Sequence, residues 1–455
     1  MNNLPCFGTS GKAVQNIAAI ALGLVLSVLG TPAVKADDSI RQAAKTTDCA
    51  QYDKYRMRGS ETAIITTCDT LSPDLDGARK SMYEHGWLVQ NYSSITELYD
   101  LNHGDRDVPQ RYSGQRPTFQ ANSNFTITYD LSRLGFFGEN AQFGAQANWT
   151  QNSYLGNGLR DAFINQLSIE QEFDHSRVRI EYGFYSIGAK FYGAVLGTST
   201  AATALGPNSS LLYEAGVVTG GFKPMPALDF RLYSPSLLFY NHFGIARSTS
   251  PQGFQYDSKE NPTGLSLTVP GSKALFIDEL GYRRLPKAEE LSRWVRVGAV
   301  YNTSDYMNYQ VGHPTDSNHM YYLAYTQQYS QPDPSLPVRG IYTDIKVDQV
   351  PSSRNVYDKD VLFSLYSIGP SNARPYDMLT LGYQHKWISQ WARQAFARSS
   401  HLVPIDSSET LTLSYAFHVL RGLYFNNSLS YTDNPVLVPQ HPGSLVWSST
   451  IYLSL

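Results

Sequence analysis

Leu445-Val446-Trp447-Ser448-Ser449-Thr450-Ile451-Tyr452-Leu453-Ser454-Leu455 is the stretch on which the fold turns. Leu445, Trp447, Ile451, Leu453 and Leu455 share one parity, and Val446, Ser448, Thr450, Tyr452 and Ser454 the other. Period-two alternation sends the two sets to opposite faces of a sheet. A tilted transmembrane β-strand needs about 9 to 11 residues, and this segment has that length. The expectation is a membrane-spanning strand of a bacterial outer-membrane barrel. The competing reading of the segment alone is an ordinary strand in a soluble β-protein.

The other end of the chain favours the barrel. Lys12 precedes an apolar run from Ile17 to Leu29, and Val34-Lys35-Ala36 offers small residues where a signal peptidase reads them. The pattern predicts a cleaved secretory signal over 1–36 and a mature protein beginning near Asp37. The apolar run is too short for a helical span, which needs roughly 20 residues. The formal charge is −3, and losing Lys12 and Lys35 with the leader makes it about −5. No basic footprint of a nucleic-acid binder is present. Cys6 leaves with the leader, so Cys49 and Cys68 remain. They are expected to form a disulfide in an oxidising periplasm, closing a loop worth roughly 3 kcal/mol in the chain-entropy model. Two unrelated thiols are the alternative. A metal site would need ligands that two cysteines without a nearby histidine do not supply.

Composition separates a barrel from a soluble fold. Charged residues are 16% and aromatics 13%, with 32 tyrosines; an average globular chain carries roughly 25% charge. Mean hydropathy is −0.31, too polar for a helical membrane protein. A water-filled barrel accounts for both, since only alternate residues meet lipid and tyrosine concentrates in the interfacial girdles.

Alternation recurs from Phe119 onward. Phe119/Ala121/Phe125/Ile127/Tyr129/Leu131, Phe143/Ala145/Ala147/Trp149, Leu167/Ile169/Phe173, Val178/Ile180/Tyr182/Phe184, Leu228/Phe230/Leu232 and Val295/Val297/Ala299/Tyr301 each share a parity. So do Tyr321/Leu323/Tyr325, Ile341/Ile345/Val347, Val361/Phe363/Leu365, Leu379/Leu381/Tyr383, Leu411/Leu413/Tyr415/Phe417/Val419 and Leu423/Phe425/Leu429/Tyr431. Weaker segments lie near 87–98, 211–222, 237–247, 263–270 and 273–284. The total is about 16 to 18, and single-chain bacterial barrels usually have an even number, so 16 antiparallel strands are expected over 86–455. Unpaired backbone groups are too costly in hydrocarbon to leave an open edge. The opposite parity lines the lumen: Ser168, Glu170 and Glu172; Arg177, Arg179 and Glu181; Asp229 and Arg231; then Arg296, Gln328, Asp344, Lys346, Gln384 and Lys386. Both signs occur, which suits a neutral hydroxyl-rich solute better than an anion, because inward rings of side chains set pore selectivity. Mutual pairing that keeps a wide lumen hydrated is the alternative role for each charge.

Residues 37–85 form an N-terminal extension, with a short helix over Leu75–His85 stopped by Gly86. It is expected to lie in the lumen or at the periplasmic mouth. Loops are expected at Thr198–Ser210, Ser248–Pro262, Pro332–Pro337 and Gln390–Asp406, with a short helix over Trp391–Arg398.

Several motifs together resemble the carbohydrate-selective porin family of Gram-negative outer membranes, the OprB type. They are Asp76-Gly77-Ala78-Arg79-Lys80 before His85-Gly86-Trp87, Phe276-Ile277-Asp278-Glu279-Leu280-Gly281-Tyr282 and Tyr325-Thr326-Gln327-Gln328-Tyr329. Arg339-Gly340-Ile341-Tyr342, Gly369-Pro370 and Arg374-Pro375-Tyr376-Asp377 follow in the family's order and spacing. Glu409 opens a late strand, with Leu429, Tyr431, Asn434 and Pro435 before the last hairpin. The resemblance spans Leu75 to Leu455. Departures are Asn427, Ser428 and Ser430 where the family tends to have Pro-Asp and Gln, Leu455 in place of a terminal aromatic, and the Cys49/Cys68 extension.

The resemblance implies passive diffusion of mono- or oligosaccharides through a 16-stranded outer-membrane channel, with weak binding at a constriction. By analogy Glu279, Arg339, Arg374 and Asp377 are motif residues near the pore, supported by inward Arg179, Glu181, Arg231 and Gln328. The implied partners are sugars as solutes, outer-membrane lipid, the barrel-assembly machinery and a homo-oligomer; no cofactor, metal or nucleic acid is expected. Enzyme signatures are missing: no His-Glu-x-x-His helix, no Gly-x-Ser-x-Gly elbow and no phosphate-cradling glycine loop. The competing functions are an outer-membrane hydrolase and a barrel that exports polysaccharide or anchors an envelope assembly through the extension.

Overall fold

The computed structural model describes residues 49–58, 66–102, 109–135, 140–193, 208–217, 223–402, 404–437 and 441–455. The expected leader, 1–36, and the mature start near Asp37 lie outside these residues. Sixteen strands among them close into an antiparallel barrel. They are β1 (Trp87–Asp100), β2 (Thr118–Asp130), β3 (Asn140–Asn152), β4 (Arg160–Phe173), β5 (Val178–Tyr185), β6 (Met225–Tyr233), β7 (Phe239–Arg247) and β8 (Ala274–Arg284). The second half comprises β9 (Arg293–Asn308), β10 (His313–Gln328), β11 (Gly340–Gln349), β12 (Tyr357–Ile368), β13 (Met378–Ile388), β14 (Ser407–Leu420), β15 (Leu423–Thr432) and β16 (Ser444–Ser454). Each strand pairs with its sequence neighbour, and β1 pairs with β16 from Tyr92↔Ser454 to Asp100↔Val446. Every ladder is therefore filled, as a span in hydrocarbon requires.

Alternation decides which side chains face out of the barrel. Leu280, Val297, Tyr301, Leu323, Ile341, Val347 and Ile451 point outward and are exposed. Trp87 packs on Tyr129 at one rim, ring centroids 4.4 Å apart, and Tyr99 lies opposite Trp447 at the other. These pairs sit where aromatic girdles belong. Two expected strands are not strands. Residues 211–214 form helix α2 (Leu211–Glu214), because Leu211, Leu212, Ala215 and Val217 are all buried and none is turned toward lipid. The rest of that stretch, 218–222, lies outside the described residues. The 263–270 segment is a turn-rich connection in which Gly264 takes φ +84° against the Ile164 carbonyl. Arg177, expected in the lumen, sits in the turn after β4, where it pairs with Asp174 at 2.6 Å.

The two mouths differ. One carries both described chain ends and short turns, the tightest being Arg421-Gly422 between β14 and β15, with Gly422 at φ +73°. The other carries longer loops, among them α3 (Phe254–Glu260) and α4 (Gln390–Ser400). The described parts of the connection between β5 and β6, residues 186–193 and 208–217, turn into the barrel: Ile187, Phe191, Tyr192, Leu211 and Ala215 join Leu275, Ile277, Met320 and Tyr322 of the inner wall in one buried cluster.

The extension occupies the terminal mouth. Cys49 and Cys68 are bonded, and a 3-10 helix over Cys49–Tyr55 packs with Tyr83 of α1 (Ala78–Glu84) against inward Leu88. Residues 69–71 are tied to the far side: Asp69 accepts from Gly422 N at 3.0 Å and Tyr424 Oη at 2.6 Å, and Leu71 N donates to Ser454 O at 2.9 Å. A Cβ on Gly422 would meet Leu71 N at 2.4 Å, so the turn and the extension fit only with glycine there.

Burial alone would raise the Asp69 carboxyl, but hydrogen bonds from His418, Tyr424 and the Gly422 N–H outweigh it and hold the group below its ordinary value. A depressed carboxylate stabilises above the unfolded pKa, near about 3.9, and that contribution is lost as pH falls through the folded value. Protease protection of residues 66–77 should therefore be constant from about pH 5 upward and fall below about pH 4, with Asp69→Asn removing the step. Protection that stays flat in the wild type through that acid range would refute the tie.

Candidate functional site

The interior has two unlike walls. On β4 to β11, beneath the inserted loop, many inward side chains carry charge, and most of it is paired internally. Lys190 of the loop meets Glu181 at 2.6 Å with both side chains 2% exposed, and Ser168 and Gln166 donate to the same carboxylate at 2.8 and 3.1 Å. Asp229 accepts from Tyr185 Oη at 2.8 Å and lies 2.9 Å from His242 and 3.7 Å from Arg231. Phe191 of the loop stacks on the His242 ring at 3.8 Å. Burying such charges is tolerable only because each has an opposite partner and hydrogen bonds.

Glu279 sits at the centre of this wall. Tyr240 and Tyr322 donate to its two oxygens at 2.6 and 2.7 Å, and Trp294 Nε1 donates to Tyr240 Oη at 2.8 Å. Both tyrosine rings lie flat over glycines: a Cβ on Gly281 would meet Tyr240 at 2.2 Å, and one on Gly298 would meet Tyr322 at 2.1 Å. The Tyr192 backbone of the loop reaches Glu279 at 3.5 Å, and its hydroxyl donates to Asp348. Arg296 stacks over Trp294 at 3.8 Å, donates to the Gly193 carbonyl and faces Asp344 at 3.5 Å. Farther along the loop, Glu214 accepts from Val356 N and Tyr357 N at 3.2 and 3.4 Å. Burial pushes its carboxyl up to about 7 against those two bonds.

The opposite wall, β1 to β3 and β14 to β16, is uncharged. Between Asp100 at the loop mouth and Asp130 and His418 at the terminal mouth, no inward residue of these six strands is Asp, Glu, Lys, Arg or His. Hydroxyls and amides form cross-strand ladders instead: Thr96 to Thr450 at 3.0 Å, Ser428 to Ser448 at 2.6 Å, Thr412 to Ser430 at 2.8 Å. Asn148 donates to Asn124 at 2.7 Å, and Gln146 to Thr126 at 2.8 Å. Tyr92 and Tyr452, also inward, stack with centroids 5.9 Å apart.

The eight residues singled out from sequence fall into two groups. Glu181, Arg231 and Glu279 lie beneath the inserted loop. Arg179, Gln328, Arg339, Arg374 and Asp377 lie toward the terminal mouth. Arg179 pairs with Glu172 at 3.1 Å. Gln328 accepts from Ser292 N at 2.9 Å and donates to the Arg339 carbonyl at 3.0 Å. Arg339 donates to Gly369 O at 3.2 Å and faces Asp333 at 3.5 Å. Arg374 pairs with Asp377 at 2.7 Å, and Asp377 also accepts from Tyr415 Oη at 2.7 Å and His418 N at 2.9 Å. A search for charged and motif residues passes over the uncharged wall, although the same parity rule places Gln120, Asn122, Asn124 and Thr126 on it. Among the described residues no cluster of His, Cys, Asp and Glu is arranged to hold a metal.

The sequence profile of the carbohydrate-selective porin, OprB family, matches residues 120–440. No curated sequence matches the chain. Among solved structures, the high-pH form of Pseudomonas putida OprB superposes with a TM-score of 0.69 at 17% identity, covering 87% of this chain and 99% of that one. The low-pH form gives 0.52 at 16%, covering 85% and 98%. Salmonella typhi OmpF in complex with daunomycin gives 0.51 at 7%, covering 82% and 99%. These likenesses are of fold; the profile carries the family, and the chain belongs to the OprB family of carbohydrate-selective porins, channels of the outer membrane.

Proposed function

We propose that this porin passes neutral mono- and oligosaccharides along the uncharged wall of β1 to β3 and β14 to β16, and that the inserted loop sets the width of the passage. The observation that carries the reading is that wall: a face built mostly of Ser, Thr, Asn and Gln, interrupted by Leu98, Ala416 and Val446, with no ionised group between the mouths. Hydroxyls and amides both donate and accept, so they can exchange with sugar hydroxyls in any rotation of the solute. None holds a solute as an ion would, and flux requires that binding stay weak. Tyr92, partly exposed and backed by Tyr452, offers an aromatic ring to a pyranose face. The opposite wall serves indirectly. Glu181, Arg231 and Glu279 act on the solute through the loop they hold, while Arg179, Gln328, Arg339, Arg374 and Asp377 shape the turns bordering the terminal mouth. In this reading the terminal mouth is periplasmic, as short turns are in such barrels. A cleaved leader, insertion by the barrel-assembly machinery and contact with outer-membrane lipid belong to the same reading, as does association with further copies. The channel performs no reaction on the solute.

In proteoliposome swelling, glucose should enter faster than gluconate, a charged acid of similar size. Asn124→Lys places an uncompensated charge on the wall; glucose entry should fall several-fold, and reversal potentials should shift toward anion preference. Equal glucose entry in both forms would put the sugar route elsewhere. Lys190→Ala leaves Glu181 buried without its cation, a loss of roughly 3–5 kcal/mol. It should loosen the loop, raise single-channel conductance and admit larger maltooligosaccharides; unchanged conductance would show that the loop does not set the width.

A further inference from the structure

The outlet of the uncharged wall is covered by the N-terminal segment, and the described ties that hold it there run mostly to inward groups of the six strands that make the wall, with the β14–β15 turn supplying Gly422. The Tyr55 carbonyl accepts from Thr128 Oγ1 of β2 and from Gln142 Nε2 of β3, the latter at 3.1 Å. Arg58 N donates to Gln142 Oε1 at 3.0 Å, and Met57 packs over Gly144, where a Cβ would lie 3.2 Å from its methyl carbon. On the other side of the mouth, Asp69 is held by Tyr424 of β15 and Gly422, and Ser454 Oγ of β16 donates to the Asp69 carbonyl at 3.0 Å. Between these anchors, Asp53 accepts from Thr67 N and Oγ1 at 2.8 and 2.9 Å, and the Cys49 carbonyl accepts from Thr67 Oγ1 at 2.7 Å. Cys49–Cys68 joins the two halves covalently.

We propose that residues 49–58 and 66–77 form a second size filter at the terminal mouth, in series with the inserted loop, and that the Cys49–Cys68 bond keeps it seated. The inference rests on the transport reading, because a filter has meaning only if solute leaves past it. The half at 66–77 is anchored by its own hydrogen bonds and by the chain leading into β1. The half at 49–58 is tied to the wall on one side of the mouth only, through Thr128 and Gln142, and the Cys49–Cys68 bond fixes it to the half anchored on the other side. Opening a bond that closes a loop of this length should shift the ratio of seated to released segment by about two orders of magnitude. Cys68 is only partly buried, so a soluble reductant can reach it.

The test uses the full mature protein in proteoliposomes, with swelling measured in glucose, maltose and raffinose before and after tris(2-carboxyethyl)phosphine. The phosphine converts the disulfide to two thiols and becomes the phosphine oxide, taking oxygen and the two protons from water. Maltose and raffinose entry should rise several-fold relative to glucose, and single-channel conductance should rise with it. Cys49→Ser with Cys68→Ser should behave like the reduced protein. Asp69→Ala, which leaves the disulfide intact and cuts the opposite anchor, should move in the same direction. Heat-modifiable gel mobility identifies the samples in which the barrel is folded, and thiol titration confirms reduction. An unchanged size series in folded, fully reduced protein would overturn the filter while leaving sugar transport standing. Failure of every form to pass any sugar would overturn the transport reading and the filter with it.

Discussion

A backbone N–H or C=O in hydrocarbon has no water to bond, and this sets everything else in the molecule. It forces each strand to be paired on both edges, so the chain closes β1 onto β16. Sixteen strands then enclose a space too wide for wall side chains alone to fill. The protein deals with that space from within its own chain. The connection between β5 and β6 enters from one end, and the N-terminal extension covers part of the other.

The inward loop explains why one half of the wall is charged and the other is not. A loop lying in a lumen exposes polar backbone that must be bonded, and ionised side chains bond it with greater strength and direction than neutral ones. Arg296 at the Gly193 carbonyl and Glu279 at Tyr192 N are examples. The charges beneath the loop are thereby committed, each facing protein. The wall facing the open passage has no such duty and can be built from groups that a sugar finds interchangeable with water.

Alternation made most of this barrel legible before any coordinates. Strands such as β9 and β14 show one apolar parity and one polar parity, and nothing else needs to be known to orient them. The two segments that are not strands depart from the pattern for different reasons. Residues 211–217 are apolar because they bury against the inner wall, and periodicity over so few residues does not separate a short buried helix from a strand. Residues 263–270 alternate weakly, but Gly264 and the prolines around them turn the chain. Parity also placed Glu181, Arg231 and Glu279 inward, yet it carries no information about what covers an inward residue. That depends on Lys190, Phe191 and Tyr192, whose partners lie far along the chain. Asn124 and Thr126 are equally visible by parity, but without a charge nothing in the sequence sets them apart from other wall residues.

The position of the extension bears on how the molecule assembles. Leu88, Thr128 and Gln142 belong to the first three strands, and His418, Tyr424 and Ser454 to the last three. The berth for residues 49–77 therefore straddles the seam where the beginning of the chain meets its end. Until that seam zips, half of the berth is missing, and the segment synthesised first can dock only after the segment synthesised last. Once docked, it acts as a clasp across the one junction in the barrel that no hairpin joins.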